Sequence, residues 1–216
     1  MLASQLETLI DERALRSQDP EDRYLTTGAS WQQYEALLVQ LGDRPGFRVT
    51  YLDGVLEIVS PSLRHEDTKS RIGDLLLVYF LETDTAYYPK GSTTFRQQER
   101  RGGTEADESY CIGTDKALPD LAIEVIVTSG GLNRLEVYSR LQVPEVWFWH
   151  HDGFSLYRLR EETPSTFVQT YGYEEIVHSE LLPHLDVDLL TAYIRHPNPL
   201  IAAKEFRQRL REKLDP

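Results

Sequence analysis

Apolar residues recur along this chain with two different periods, and the change of period marks the predicted elements. After Ser30, a residue type that commonly caps helices, apolar side chains follow at helical spacing as Trp31, Tyr34, Leu37, Leu38 and Leu41. Apolar and polar residues then alternate over 47–51, and a second strand-like run covers 55–59. Asp53-Gly54 separates these two runs, which is a strong signal for a β-hairpin. The first part of the chain is therefore predicted to form a helix followed by a hairpin.

The remainder of the chain mixes the same two patterns. The spacing predicts helices at about 64–82, 133–141 and 186–194, and strands at 85–96, 107–112, 121–127, 146–149, 154–159 and 168–177. A turn at Asp152-Gly153 would join two of these strands into a second hairpin. This order of elements indicates an α/β domain with a mostly mixed sheet.

Length and composition favour one domain with short additions. The 216 residues are 40% hydrophobic and suffice for one sizeable core. We expect an N-terminal helical arm over 1–28, the main domain over 29–195 and a basic helical tail over 196–216. The longest apolar run is far below the roughly 20 residues of a membrane helix, and the N-terminus resembles no secretory leader. We therefore expect a soluble cytoplasmic protein with no membrane partner.

Charge and cysteine content restrict the chemistry further. A net charge of −12 makes the whole surface an unpromising partner for nucleic acid, since phosphate contacts need positive charge. Two basic segments, 90–101 and 204–213, are interpreted as solvated faces. The single cysteine, Cys111, excludes an internal disulfide and any cysteine-cluster metal site, and we expect it to be a buried small hydrophobe.

The strand predicted at 121–127 contains a carboxylate among apolar residues. Alternation places Leu121, Ile123 and Val125 on one face, and Glu124 on the other. A buried, unpaired carboxylate costs several kcal/mol, so Glu124 is expected to meet a cation, a hydrogen-bond donor or water, unless its face is solvated. If the preceding strand is a neighbour, Asp107 would lie near Glu124. Two converging carboxylates suit Mg²⁺ or Mn²⁺, which could orient a water nucleophile at a phosphodiester.

Several short motifs together resemble the Uma-type restriction endonuclease family, a former domain of unknown function that is abundant in cyanobacteria. In chain order they are Tyr51–Ser62 (YLDGVLEIVSPS), His65-Glu66, Ala106–Tyr110 (ADESY), Pro119–Val125 (PDLAIEV) and Val143–Trp147 (VPEVW). The resemblance covers roughly residues 31–190. It implies the PD-(D/E)XK nuclease superfamily and a restriction-endonuclease-like core of a helix, three strands, a helix and a fourth strand. Here an N-terminal helix and a hairpin would be added to that core.

The resemblance also implies roles for individual residues. Asp107 and Glu124 would bind the metal, and Glu66 on the first core helix would assist. Asp120 is a rival for the aspartate role, since it follows Pro119 on the strand of Glu124. The superfamily's lysine, two residues after the glutamate, is replaced here by Ile126.

A basic partner for the site must then come from elsewhere in the chain. Arg134 occupies a position where relatives often have lysine, but an arginine does not readily accept a proton. Lys69 and Lys90 are further candidates. His65 is interpreted as a capping or surface residue rather than a metal ligand. The Trp147-Phe148-Trp149 cluster is interpreted mainly as core rather than as a platform for bases.

These observations predict a Mg²⁺- or Mn²⁺-dependent endonuclease that hydrolyses DNA with activated water. A homodimer is expected, because cutting both strands of a duplex favours paired active sites. A catalytically inactive protein that keeps the fold for binding or assembly is the main alternative, supported by Ile126 and the negative charge. An acid–base hydrolase using Glu124 and Asp120 is disfavoured, because four residues along a strand separate their α-carbons by roughly 13 Å.

Overall fold

Five α-helices and eleven strands make up the part of the chain that the computed structural model describes, residues 21–42, 46–127, 131–161 and 166–214. The helices are α1 (Trp31–Leu41), α2 (Leu63–Glu82), α3 (Arg134–Leu141), α4 (Val187–Ile194) and α5 (Pro199–Leu214). The first six strands are β1 (Asp22–Thr27), β2 (Arg48–Leu52), β3 (Val55–Ser60), β4 (Tyr87–Pro89), β5 (Thr94–Gln97) and β6 (Gly102–Glu105). The other five are β7 (Glu108–Ile112), β8 (Leu121–Val125), β9 (Glu145–His150), β10 (Gly153–Leu159) and β11 (Tyr173–Ile176).

The strands form two sheets. The first sheet has the order β1-β3-β2-β6-β5 and is antiparallel throughout. The second has the order β11-β10-β9-β8-β7-β4, in which β8 and β9 are parallel and the other pairs antiparallel. Helix α3 makes the crossover that a parallel pair requires. The predicted mixed sheet is confirmed.

The element order agrees with a restriction-endonuclease-like fold. Helix α2 is followed by β4, β7 and β8, then by α3 and β9, while α1 and the β2–β3 hairpin precede them as the expected additions. Strands β5 and β6 lie between β4 and β7 in the chain, but they pair within the first sheet. The predicted strand over 85–96 is thus two strands in different sheets, separated by a turn where Gly91 has a φ of 54°.

Caps and turns fix the elements around the later site. Ser62 accepts a hydrogen bond from the backbone N–H of His65 (3.2 Å), which starts α2 just before His65 and Glu66. The β2–β3 turn has positive φ at both Asp53 (49°) and Gly54 (90°), as the sequence predicts. The β9–β10 turn lies one residue earlier than expected, at His151 and Asp152 (φ 47° and 59°).

The core covers both faces of the central strand β8. Leu121, Ile123 and Val125 pack in a cluster with side chains of α2, whereas Ala122 packs in a cluster with side chains of α3. Cys111 is fully buried, and Trp147–Trp149 is core as predicted. Because β8 has a helix packed against each face, Glu124 does not lie on a solvated surface.

The ends of the chain differ from expectation in one respect. The helical arm predicted over 1–28 is wrong at its end, because β1 is a strand that pairs with β3; residues 1–20 of that prediction lie outside the described residues. The predicted strand at 168–177 is confined to Tyr173–Ile176. The C-terminal tail is helical, and it buries Ala202, Phe206 and Leu210. Within the described ranges, no helix is both long and apolar enough to cross a membrane.

Candidate active site

Asp107 and Glu124 meet where β7 and β8 run side by side. Glu108 pairs with Ile123, and continuing this antiparallel register places Asp107 opposite Glu124. The backbone N–H of Asp107 donates to the Ile123 carbonyl (3.2 Å), and the N–H of Val125 donates to Asp107 Oδ2 (2.6 Å). Both carboxylates are buried, with 1% and 6% exposure. The predicted neighbourhood of the two acids is therefore present.

Both acids line a cavity of about 580 Å³ between the start of α2, the start of α3 and the β9–β10 hairpin. Its charged and imidazole side chains are Glu21, Arg23, Arg48, Arg64, His65, Asp107, Glu124, Arg134, His150, His151 and Asp152. Four arginines and three histidines thus accompany four carboxylates. The four arginines balance the four carboxylates, so the cavity does not share the negative charge of the chain as a whole, which is −12.

Asp107 is held by cationic and imidazole neighbours. The Arg48 guanidinium contacts its Oδ1, and His65 Nε2 lies 3.0 Å from its Oδ2. The other imidazole nitrogen of His65 lies 3.2 Å from Glu21 Oε2. His65 is buried between two carboxylates, so its interpretation as a surface residue is wrong, although its backbone does take part in the α2 cap.

Glu124 is held from the side of α3. The Tyr138 hydroxyl donates a hydrogen bond to its Oε1. Burial and the nearby Glu124 charge raise the pKa of Tyr138 well above its usual range, so the hydroxyl stays protonated and remains a donor. A phenol that donates to this carboxylate fixes its rotamer.

Arg134, at the start of α3, lies beside Glu124 and against the first sheet. Its Nη2 is 2.8 Å from Glu57 Oε2, and its Nη1 donates to the hydroxyls of Thr50 and Thr104. Burial alone would lower the pKa of Arg134, but the charges of Glu124 and Glu57 outweigh it and raise the pKa above the ordinary value. The guanidinium is therefore a permanent positive charge at the cavity wall.

Glu66 and Asp120 occupy different surroundings from the central pair. Glu66 is 45% exposed and reaches the cavity only through Arg48, whose Nη2 donates to its Oε1 (2.7 Å). Asp120, at the other end of β8, accepts from Lys116 (2.6 and 2.8 Å) and from the Ile112 N–H (2.8 Å). Asp120 does not line the cavity, so the structure favours Asp107 as the partner of Glu124.

The position of the superfamily's lysine has no basic side chain in this protein, because Ile126 occupies it. Ile126 lines the cavity and is 39% exposed. Neither lysine candidate lines the cavity: Lys69 contacts Glu66 (3.5 Å) and Ser92 (3.1 Å), and Lys90 pairs with Asp115. Of the three basic candidates from the sequence, Arg134 is the one that faces Glu124.

The donor set fits Mg²⁺ or Mn²⁺ in part. Asp107 Oδ1 accepts no hydrogen bond from the described part of the chain and instead faces the Arg48 guanidinium, so a positive charge is already accommodated at this oxygen. The described residues contain no group of three or more His, Cys, Asp or Glu arranged to hold a metal. Mg²⁺ commonly uses one or two protein carboxylates and takes its other ligands from water and substrate phosphate. Asp107 and Glu124 suffice for that mode.

Sequence reasoning missed three residues of the site. Glu57 shows the same signal as Glu124, a carboxylate inside an apolar strand, and it is fully buried. Arg48 is a polar residue of a strand in which apolar and polar residues alternate, and this pattern does not reveal that it is only 9% exposed. Tyr138 shows no signal, because a tyrosine at helical spacing is typical of a core position.

A family model described as "Uma2: Putative restriction endonuclease" matches residues 31–191. The chain belongs to this family. A search of curated proteins finds no match. The match covers α1, both sheets apart from β1, and most of α4. It includes every cavity residue except Glu21 and Arg23. The family assignment made from the sequence motifs is therefore confirmed, and Uma2 membership accounts for the restriction-endonuclease-like fold.

Proposed function

We propose that this Uma2 protein is a metal-dependent endonuclease that hydrolyses DNA phosphodiester bonds with activated water. The observation that carries the proposal is the pairing of Asp107 with Glu124 in one cavity, across adjacent antiparallel strands. Two buried carboxylates side by side repel each other unless cations balance them, so the arrangement favours a bound cation. Family membership supports the same activity.

The arginines of the cavity support a phosphate-bearing substrate. Arg23, Arg48, Arg64 and Arg134 all line it, and arginine matches the geometry of phosphate oxygens with two parallel hydrogen bonds. The acidic remainder of the protein would repel nucleic acid, so binding would concentrate at this site. DNA is therefore the proposed partner, and the cavity rather than the basic C-terminal helix is the proposed point of contact.

Asp107 and Glu124 would hold Mg²⁺ or Mn²⁺. When bound, the ion would lower the pKa of a coordinated water and offset charge on the scissile phosphate. The Val125 N–H fixes the Asp107 carboxylate, and the Tyr138 hydroxyl fixes that of Glu124, so both oxygen sets are oriented before substrate arrives. Arg48, which faces Asp107 Oδ1, would exchange that contact for a substrate phosphate.

Arg134 would supply the positive charge that Ile126 lacks. Because its pKa is raised, it stays charged throughout the working pH range and would stabilise negative charge on the phosphate rather than accept a proton. Glu66 would act at a distance by anchoring Arg48. Pairing of two copies, a cytoplasmic location and the domain limits stay predictions from the sequence.

Cleavage of supercoiled plasmid tests the proposal. Purified protein is incubated with Mg²⁺, with Mn²⁺ and with chelator, and nicked and linear forms are separated on a gel. We expect nicking or linearisation with either metal and none with chelator. Equal cleavage with and without chelator would refute metal dependence. The predicted dimer is tested separately, by the molecular mass of the protein in sedimentation with and without DNA.

A second candidate is a binding or assembly protein that keeps the fold without catalysis. It is favoured by the fact that each central carboxylate already has a protein partner, Arg48 for Asp107 and Tyr138 for Glu124. Calorimetric titration with MnCl₂ separates the two functions. The nuclease predicts saturable binding that is lost in E124Q, whereas a non-catalytic scaffold needs no metal binding at all.

A further inference from the structure

A row of polar side chains crosses the face of the first sheet that lies beside the cavity. Thr50 pairs with Glu57 across β2 and β3, and the register of Tyr51 with Gly103 places Thr104 of β6 next to Thr50. All three side chains are at most 1% exposed. The hydroxyls of the two threonines lie 2.8 Å apart, so the row is continuous across three strands.

This row ends on the guanidinium of Arg134. Glu57 pairs with Nη2, and the two threonine hydroxyls accept from Nη1. Glu57 Oε1 also accepts from the Leu132 N–H (3.1 Å) and pairs with Arg23 (3.3 Å), which ties the segment before α3 to the sheet. Gly131 packs directly against the side chains of Glu57 and Arg23, and a Cβ at position 131 would collide with both.

Stability alone does not explain a fully buried glutamate at this place. A buried ion pair commonly adds no net stability over apolar residues of similar volume, because both charges must be removed from water. Apart from Ser60 at its end, the rest of β3 is apolar, and an apolar side chain at position 57 would continue that pattern. Glu57 does fix the position of the Arg134 guanidinium, a positive charge that lies beside Glu124.

We propose that Glu57 is a positioning residue that, with Thr50 and Thr104, holds the Arg134 guanidinium beside Glu124 in place to contact the phosphate of the substrate. This inference rests on the proposed function. The added hairpin of this fold is then part of the active site: it supplies the anchor for an arginine that replaces the basic side chain missing at Ile126. Glu57 itself touches neither substrate nor metal.

A double-mutant cycle tests the inference. Kinetics of metal-dependent cleavage are measured for wild type, E57Q, R134A and the double variant. Loss of a preorganised hydrogen-bond donor to developing negative charge costs about 100-fold in kcat, and we expect this loss for R134A. E57Q keeps the arginine but misplaces it, so we expect a loss of roughly tenfold. Because Glu57 acts through Arg134, we expect E57Q to have no further effect on kcat in the R134A background.

Glu145→Gln is the matched control. Glu145 is also a fully buried glutamate on an apolar strand, but its oxygens accept from Trp147 Nε1 (2.7 Å) and Ser179 Oγ (2.6 Å), away from the cavity. Its substitution is expected to lower thermal stability and to leave kcat unchanged in both the wild-type and the R134A background. If E57Q does not fold, Thr104→Val removes one Arg134 contact while keeping the side-chain shape, and the same lack of additivity is expected.

A binding cycle separates failure of this inference from failure of the nuclease. The Kd of a short double-stranded DNA oligonucleotide is measured with Ca²⁺ in place of the catalytic metal, for the same four proteins. Wild type that binds but does not cleave refutes the nuclease, and the Kd cycle then decides the role of Glu57. The inference would be overturned by additive effects of E57Q and R134A on Kd, or by a Kd of E57Q equal to that of wild type. It would also be overturned by a wild type that does not bind DNA.

Discussion

Asp107 accepts a hydrogen bond from the backbone N–H of Val125, the residue that follows Glu124, so the two acids are tied together through the main chain of β8. The contact is 2.6 Å between Oδ2 and nitrogen. It leaves Oδ1 for a cation and fixes the rotamer of Asp107 independently of any metal. The site is thus organised by the sheet itself, and the arginines and Tyr138 complete it.

Asp107→Asn separates the ligand role of this residue from its structural role. The amide oxygen can still accept from Val125, so the fold is expected to survive, but loss of the charge should weaken Mn²⁺ binding by roughly tenfold or more in calorimetry. Asp107→Ala should in addition lower the free energy of unfolding by about 1–3 kcal/mol, since a buried N–H loses its acceptor.

Asp120→Asn is the comparison that decides between the two aspartates. Asp120 is held by Lys116 and the Ile112 N–H, away from the cavity. We expect its Mn²⁺ affinity to equal that of wild type. Lost affinity in D120N together with normal affinity in D107N would reverse the assignment.

Arg64→Ala should weaken DNA binding in a salt-dependent way. Arg64 is an exposed cavity residue whose Nη2 lies 3.6 Å from Asp152, a loose surface pair. Removing one phosphate contact should reduce the slope of log affinity against log salt by about one. Fluorescence anisotropy at several salt concentrations measures it. Arg209→Ala, in the C-terminal helix, is the control, and an equal loss there would implicate that helix instead.

Glu108→Gln should stabilise the protein at neutral pH. Burial raises the pKa of Glu108 above its ordinary value of 4.5, so the folded chain binds this proton more tightly than the unfolded chain. Its contribution to stability is present below pH 4.5 and is lost as the pH rises through the folded pKa. Thermal melts should therefore show E108Q above wild type at pH 7 and equal to it at pH 4.

Glu175→Gln controls for the removal of one negative charge from an acidic protein. Glu175 is exposed on the edge strand β11, so its substitution should raise the melting temperature less than E108Q does. Equal gains for the two variants would show that net charge, rather than burial of Glu108, governs the effect.

Phe206→Ala tests whether the C-terminal helix belongs to the folded domain. Phe206 is fully buried in the cluster that also contains Leu75 and Leu76 of α2. Its truncation should cost about 3–5 kcal/mol in urea unfolding. Leu200→Ala, on the same helix but 62% exposed, should change stability by less than about 0.5 kcal/mol. A small effect of F206A would mean that the helix is a separate tail.

The fold was predictable from the sequence to a considerable extent, because its signals are local. Ser30 and Ser62 cap helices, Asp53-Gly54 makes the first turn, and apolar runs give the central strands. The path of residues 85–105 was not predictable, since pairing of β5 and β6 with the first sheet depends on distant partners. A period of two shows that a strand has two faces and says nothing about which sheet it joins.

The candidate site was predicted where it rests on neighbouring strands. Alternation and the strand order bring Asp107 to Glu124, and the motifs point to Arg134. The contributions of Arg48 and Glu57 were missed, because the polar face of an antiparallel hairpin is commonly solvated. That face is instead buried over the cavity. Polar residues of an added element look alike in sequence whether they meet water or an active site.

Cleavage by E124Q beside its matched control E145Q tests the central claim most directly. Labelled DNA is incubated with MnCl₂ and each purified protein, after circular dichroism has shown that all are folded. We predict cleavage by wild type and by E145Q, and none by E124Q, because only Glu124 belongs to the metal-holding pair. Cleavage by E124Q at the wild-type rate would contradict the claim that Asp107 and Glu124 form the catalytic centre.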